Sequence, residues 1–361
     1  MSILDIGSKI KETYDIEKFL GEGAFAEVYR VKHRFLGRQS MKVFKKVGMT
    51  ERHILKMLSE AILLSKIGHP NIIRVYDANV IETEAGYVGY FTMEYVAGGN
   101  LQNFWSSYEK TLLPFDMALD IVKQIARGVD IAHKQSPPII HRDIKPQNIL
   151  VGYEGDGLRA RVSDFGLAKE VSALTLMATV AGTVSYKPPE AFEDLKSDSC
   201  ASDVWSIVTT FYFLLTNKLP YNFGDSFGVG IKKGENLNLI NASDLNPYVD
   251  KKIDSIIKKG LHFDPKNRFQ TAGDLLVALS DYKKSGLNND HCEKPEEIKI
   301  DFSAKVMSDL SLQIRDKAFQ LKDDGKLSEA ADLLEEGFKR DSILREKYVG
   351  IVKLWRSGIS M

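Results

Sequence analysis

The chain has 361 residues, 43% of them hydrophobic and 27% charged, and its 49 basic side chains balance 49 acidic ones. Such a length exceeds one compact domain of ordinary size and calls for two lobes or domains plus an addition, and the composition is that of a folded chain. Zero net charge argues against a protein drawn onto nucleic acid by its overall field, although a local basic cleft stays open.

Cys200 and Cys292 lack metal-ligand spacing, and no motif stands behind a disulfide between them, which fits a reducing cytosol. Met1 to Lys11 lacks the apolar core of a secretory signal. The longest apolar run, Trp205 to Leu215, is interrupted by Ser206, Thr209 and Thr210. It falls short of the ~20 residues of a membrane-spanning helix and reads as a buried one. A cytoplasmic protein is expected, with no membrane and no nucleic acid among its partners.

After an N-terminal segment, residues 1–13, the stretch from Tyr14 to Phe44 alternates and is rich in Val, Phe and Tyr around glycines, which predicts antiparallel strands. Met49 to Ile67 has helical spacing that His69-Pro70-Asn71 breaks. Ile72 to Ile81 and Tyr87 to Val96 read as strands, and Ala97-Gly98-Gly99 as a flexible junction. Helical patterns follow over Leu101 to Tyr108, Pro114 to Lys134, Ser202 to Thr216, Val249 to Leu261 and Thr271 to Tyr282. The switch at the double glycine predicts an α+β, bilobal architecture: a β-rich lobe over 14–96 and a helical lobe over 97–285, with a ligand cleft between them. Residues 286–302 are polar and read as a linker. Residues 303–361 read as an all-α C-terminal extension, in which Ala318, Gly325, Leu327, Ala330 and Leu334 resemble one tetratricopeptide-type hairpin. A plain helical extension fits the same residues.

Two strings carry the chemistry. One is His141-Arg142-Asp143-Ile144-Lys145-Pro146-Gln147-Asn148; the other is Asp164-Phe165-Gly166. They supply acids, a lysine and an amide, which are a base, a charge clamp and hard oxygen ligands of the kind phosphoryl transfer needs. Upstream, Gly21-Glu22-Gly23-Ala24-Phe25-Ala26-Glu27-Val28 lies between strand patterns and forms a glycine-rich hairpin that lets backbone amides approach phosphate oxygens. Taken one at a time, each of these residues reads equally well as a loop cap, a tight hairpin or an exposed lysine. Together, in this order, they resemble the eukaryotic-type serine/threonine protein kinases over about residues 14–285.

The resemblance implies ATP and Mg²⁺ as cofactors and a role for each matching residue. Asp143 would be the base that accepts the hydrogen bond of the substrate hydroxyl, and Lys145 would steady the phosphoryl group. Asn148 and Asp164 would ligate the metal. Lys42 would hold the α- and β-phosphates, fixed by an ion pair with Glu60. ATP would further be enclosed by Gly21, Glu22, Gly23, Ala24, Phe25, Val28, Ser40 and Leu150. Met93 would stand at the back of the pocket, and the backbone of Glu94 and Val96 would meet the adenine edge. Lys145 and Thr183, the latter lining the substrate hydroxyl pocket, imply Ser/Thr acceptors on protein substrates.

Pro188-Pro189-Glu190 resembles the family's closing motif, with Glu190 expected to pair with Arg268, and Asp203 and Trp205 match the helix beneath the catalytic loop. Ala26, Ser40, Pro188 and Val208 depart from the family pattern, Val208 replacing a glycine. Thr175 and Thr179 are candidate phosphosites whose phosphate could reach Arg142. Two other readings stay open: an ATP-binding pseudokinase scaffold and a small-molecule kinase of the same fold. A partner protein, or docking back onto the lobes, is expected of residues 303–361.

Overall fold

The computed structural model describes residues 2–23, 26–45, 67–83, 86–108, 112–154, 157–165, 185–193, 198–221, 239–282 and 309–359. Six strands, β1 (Lys9–Ile10), β2 (Tyr14–Glu22), β3 (Ala26–His33), β4 (Gly37–Phe44), β5 (Val75–Thr83) and β6 (Gly86–Glu94), form one antiparallel sheet in the order β1-β2-β3-β4-β6-β5. Alternation sorts its side chains. Tyr29, Val31, Met41, Val43, Val88 and Tyr90 pack on one face beneath Leu4 and Ile10 of the N-terminal segment. Val28, Phe44, Phe91 and Met93 occupy the other face, where Val96 joins them from the stretch after β6 and Leu150 from the second lobe.

The chain leaves β6 through Tyr95 to Gly99 and enters α1 (Leu101–Ser106), whose N-terminus is capped by the Asn100 side chain accepting from the Asn103 N–H at 2.9 Å. The helical lobe is built around α2 (Phe115–His133) and α4 (Cys200–Thr216). Nearly every side chain of α4 is buried, which is why its sequence is mostly apolar and its only charged side chain is Asp203. Among the described residues no helix is long and apolar enough to cross a membrane. Between α2 and α4 come the hairpin β7 (Ile149–Glu154) and β8 (Gly157–Val162) and a short α3 (Glu190–Glu193). After α4 come α5 (Ala242–Leu245), α6 (Lys251–Gly260) and α7 (Ala272–Asp281). A capping box starts α7, with Thr271 and Asp274 each bonding the other's backbone N–H. The glycine that the kinase pattern expects at Val208 reappears across the interface: a Cβ on Gly260 would lie 2.5 Å from a Val208 methyl.

The extension is three helices, α8 (Asp309–Asp323), α9 (Leu327–Phe338) and α10 (Ser342–Arg356). Buried Ala318, Ala330 and Ala331 let the helices approach closely, and Gly337 leaves room for Leu344 and Ile314. The third helix adds Leu344, Val352 and Trp355 to the small core, apolar surface that a lone hairpin could not bury.

Candidate active site

The sheet register sets out the upper wall of the cleft. Val28 pairs with Lys42, Lys42 with Phe91, and Ser40 with Met93, so Val28, Ser40, Lys42 and Met93 lie on one face. Val96 of the joining stretch and Leu150 of the other lobe complete that apolar patch. Gly21 and Gly23 flank Glu22 at the end of β2, where Gly23 donates its N–H to the Ala26 carbonyl at 2.8 Å. Glu22 forms an ion pair with Lys45. The N–H of Glu94 is donated to the Arg74 carbonyl at 2.9 Å, so a ligand could meet only the Glu94 carbonyl. Ala24 and Phe25 lie outside the described residues.

Lys42 spans the lobes, its ammonium 2.7 Å from Asp164 Oδ1. Both side chains are well covered, which strengthens the attraction relative to a surface pair. Glu60, the expected partner of Lys42, lies outside the described residues, as do Thr183, Thr175 and Thr179.

Asp143 is held from two sides. Lys145 Nζ lies 2.8 Å from Asp143 Oδ2, and Asn148 Nδ2 donates to that same oxygen at 2.9 Å and to the Asp143 carbonyl at 2.7 Å. With its amide nitrogen so engaged, Asn148 has its side-chain oxygen to offer a cation. Two bonds tie this loop to the next, because the N–H and the hydroxyl of Ser163 both donate to the Asn148 carbonyl at 2.9 Å. Asp164 follows directly. Among the described residues no three His, Cys, Asp or Glu side chains converge as a cage for a metal. One amide oxygen and one carboxylate suit Mg²⁺, which is commonly shared between few protein ligands and substrate phosphates.

His141 and Asp203 organise these loops. His141 is fully buried; its Nδ1 accepts the Asp143 N–H at 3.2 Å, so Nε2 carries the proton and donates to the Ser163 carbonyl at 2.9 Å. The ring packs 4.5 Å from that of Phe165. Asp203, on α4, accepts the backbone N–H groups of His141 at 2.7 Å and Arg142 at 2.9 Å. Burial opposes its charge, but these donors and His133 hold its carboxyl below the usual carboxylate range.

His133 Nε2 lies 3.0 Å from Asp203. Burial works against charge on this ring, and the Asp203 carboxylate pulls its pKa upward. The Ala272 N–H, donated to Nδ1 at 3.2 Å, opposes that shift. We take the ring as neutral with its proton on Nε2, because a second proton on Nδ1 would face the Ala272 N–H.

Below the cleft, Arg268 and Glu190 form a two-pronged pair with both N–O distances at 2.7 Å. The rest of the guanidinium donates to the carbonyls of His262, Ala201 and Phe263. Arg142 Nε donates to Asp198 at 2.8 Å. The sequence offers no sign of this contact, nor of the bracing by Ser163, since neither residue belongs to a recognisable string.

The protein kinase domain profile matches residues 14–277. A probable serine/threonine-protein kinase of Clostridium acetobutylicum is 32% identical over 79% of this chain and 42% of its own length. The serine/threonine-protein kinase PrkC of Bacillus subtilis is 31% identical over 75% of this chain and 40% of its own. The crystal structure of the PknI kinase domain of Mycobacterium tuberculosis superposes with a TM-score of 0.58 over 77% of this chain and 98% of that one, at 23% identity, which speaks for the fold. The β-rich and helical lobes are therefore those of the protein kinase fold. The chain belongs to the protein kinase family, and it spans about two-fifths of the length of these two bacterial relatives.

Proposed function

We propose that the chain is a serine/threonine protein kinase that transfers the γ-phosphoryl group of ATP to hydroxyls of protein substrates and autophosphorylates the segment holding Thr175 and Thr179. The convergence of Lys145 and Asn148 on Asp143, with Lys42 on Asp164 across the cleft, carries this reading. The names of the relatives support the acceptor class.

In this reading Asp143 accepts the hydrogen bond of the attacking hydroxyl and orients it, and its proton leaves toward the carboxylate as the bond to the γ-phosphorus forms and the bond from that phosphorus to the leaving ADP oxygen breaks. Lys145, already beside Asp143, neutralises charge on the moving group. Lys42 positions the phosphates. Val28, Ser40, Met93, Val96 and Leu150 enclose the adenine, with the Glu94 carbonyl on its edge. Asn148 and Asp164 would hold Mg²⁺, which would supply positive charge against the phosphate oxygens. Thr183 sorts hydroxyl acceptors, and Glu60 fixes Lys42. A cytoplasmic location is part of this proposal.

Incubation with Mg-ATP and mixed protein substrates, followed by phosphosite mass spectrometry, tests this. Phosphoserine and phosphothreonine should appear with the wild type and vanish with Asp143→Ala. Equal silence of both proteins would favour a pseudokinase, and phosphate found only on a small metabolite would favour a small-molecule kinase.

A further inference from the structure

The extension docks onto both lobes and onto the only described stretch that joins them. On the N-terminal side, Glu336 of α9 accepts from Arg30 of β3 at 2.5 Å, lies 3.6 Å from Lys18 of β2, and takes the hydroxyl of Tyr95 on the same oxygen as Arg30. Its carboxyl is half-buried, which opposes charge, yet the Tyr95 bond and Arg30 hold its pKa below the usual value. In the middle, Lys339 lies against Gly99, where an added Cβ would come within 2.8 Å of the lysine chain; at φ +79° the site suits glycine twice over. On the C-terminal side, Arg345 of α10 donates to the Ser107 hydroxyl and stacks 4.2 Å from the centre of the Tyr108 ring. Glu335 accepts the Tyr153 N–H of β7 at 3.1 Å. One helical unit thus grips the N-terminal lobe, the joining strand and the C-terminal lobe within eleven residues of its own sequence, Glu335 to Arg345.

We propose that this extension is a brace that sets the angle between the lobes, with Glu336 and Arg345 as positioning residues for the nucleotide cleft. Tyr95 lies between Glu94 and Val96, whose backbone would hold the adenine edge, so fixing its hydroxyl fixes the segment that would bind. A brace needs both ends: releasing either frees the lobes equally. The nucleotide part of the proposal rests on the kinase reading; the mechanical part does not.

The test uses the full chain, Glu336→Gln, Glu336→Ala, Arg345→Ala and the double alanine variant. Three quantities are read: Mg-ADP affinity by calorimetry, KM and kcat for ATP, and amide hydrogen exchange over residues 90–99. Each single alanine variant is expected to weaken Mg-ADP about five- to tenfold, to raise KM more than it lowers kcat, and to speed exchange at the joining strand. The double variant should be no worse than the stronger single one. Glu336→Gln keeps an acceptor for Tyr95 and should fall between, which preserves the comparison if an alanine variant unfolds the extension. Unchanged exchange over 90–99, or effects that simply add, would overturn the brace. If the wild type neither binds Mg-ADP nor transfers phosphate, the kinase reading fails, and the exchange comparison still decides the brace.

Discussion

Asp203 accepts the backbone N–H of Arg142 at 2.9 Å while Arg142 sits at φ +70°, a left-handed conformation that an ordinary side chain disfavours by about 1–2 kcal/mol. The buried carboxylate of α4 therefore stabilises a turn in the loop that carries Asp143. Its other oxygen accepts the His141 N–H and faces His133 Nε2. Asp203→Asn would turn an amide N–H₂ toward donors. We expect a loss of about 1.5–3 kcal/mol of stability, as for lost hydrogen bonds to a charged acceptor, and a fall in kcat of about a hundredfold from displacement of Asp143. Urea unfolding and steady-state kinetics check the two separately. Full activity in a folded Asp203→Asn protein would remove the turn-holding role.

The same carboxylate predicts an acid limb. A group whose folded pKa is depressed stabilises the fold above its unfolded pKa and loses that contribution as pH falls through the folded value. For Asp203 the contribution is intact above the ordinary 3.8 and is lost below it. Stability plotted against pH should therefore fall below that value in the wild type and fall less steeply in Asp203→Asn. Parallel curves would mean that Asp203 is not a linked group.

Arg268 and Glu190 are joined by two parallel bonds, and the arginine side chain is fully buried. It also stacks 4.9 Å from the centre of the Trp205 ring. Lysine cannot reproduce a planar fork or feed three backbone carbonyls at once. Arg268→Lys should cost about 2–4 kcal/mol and Arg268→Ala about 3–5 kcal/mol in chemical denaturation. A lysine variant as stable as the wild type would show that charge alone matters there.

Much of the fold could be read from local pattern because strands and helices print their period on the chain. Tyr29, Val31, Met41 and Val43 alternate and do bury one face of the sheet. Most of the seventeen residues of α4 are apolar because the helix lies between other elements of the lobe. The catalytic strings were legible for a different reason: each loop keeps its chemistry within eight residues, as Asp143, Lys145 and Asn148 do. Contacts made far apart in sequence left no such trace. Glu336 meets Tyr95 across 241 residues and Arg142 meets Asp198 across 56. A glutamate on α9 looks the same in sequence whether it faces water or a tyrosine. Nor did the helical spacing of residues 303–361 reveal that it comprises three helices rather than one hairpin.

Val208 and Gly260 make a final case of paired change. A valine in α4 fills the space that a glycine would leave, and α6 accommodates it by ending on glycine, whose added Cβ would sit 2.5 Å from one Val208 methyl and 3.1 Å from the other. Both positions are in the closed interior, so neither methyl can swing into solvent. Gly260→Ala should destabilise by about 1–3 kcal/mol through overpacking. Val208→Ala should also destabilise, because it removes two buried methyls. Combined, the two changes relieve the clash, and the double variant should be more stable than the sum of the singles by about 0.5–3 kcal/mol. Thermal unfolding of the four proteins measures that coupling. A coupling near zero would mean that the helices separate to admit the extra methyl, and the glycine at 260 would then need a reason other than Val208.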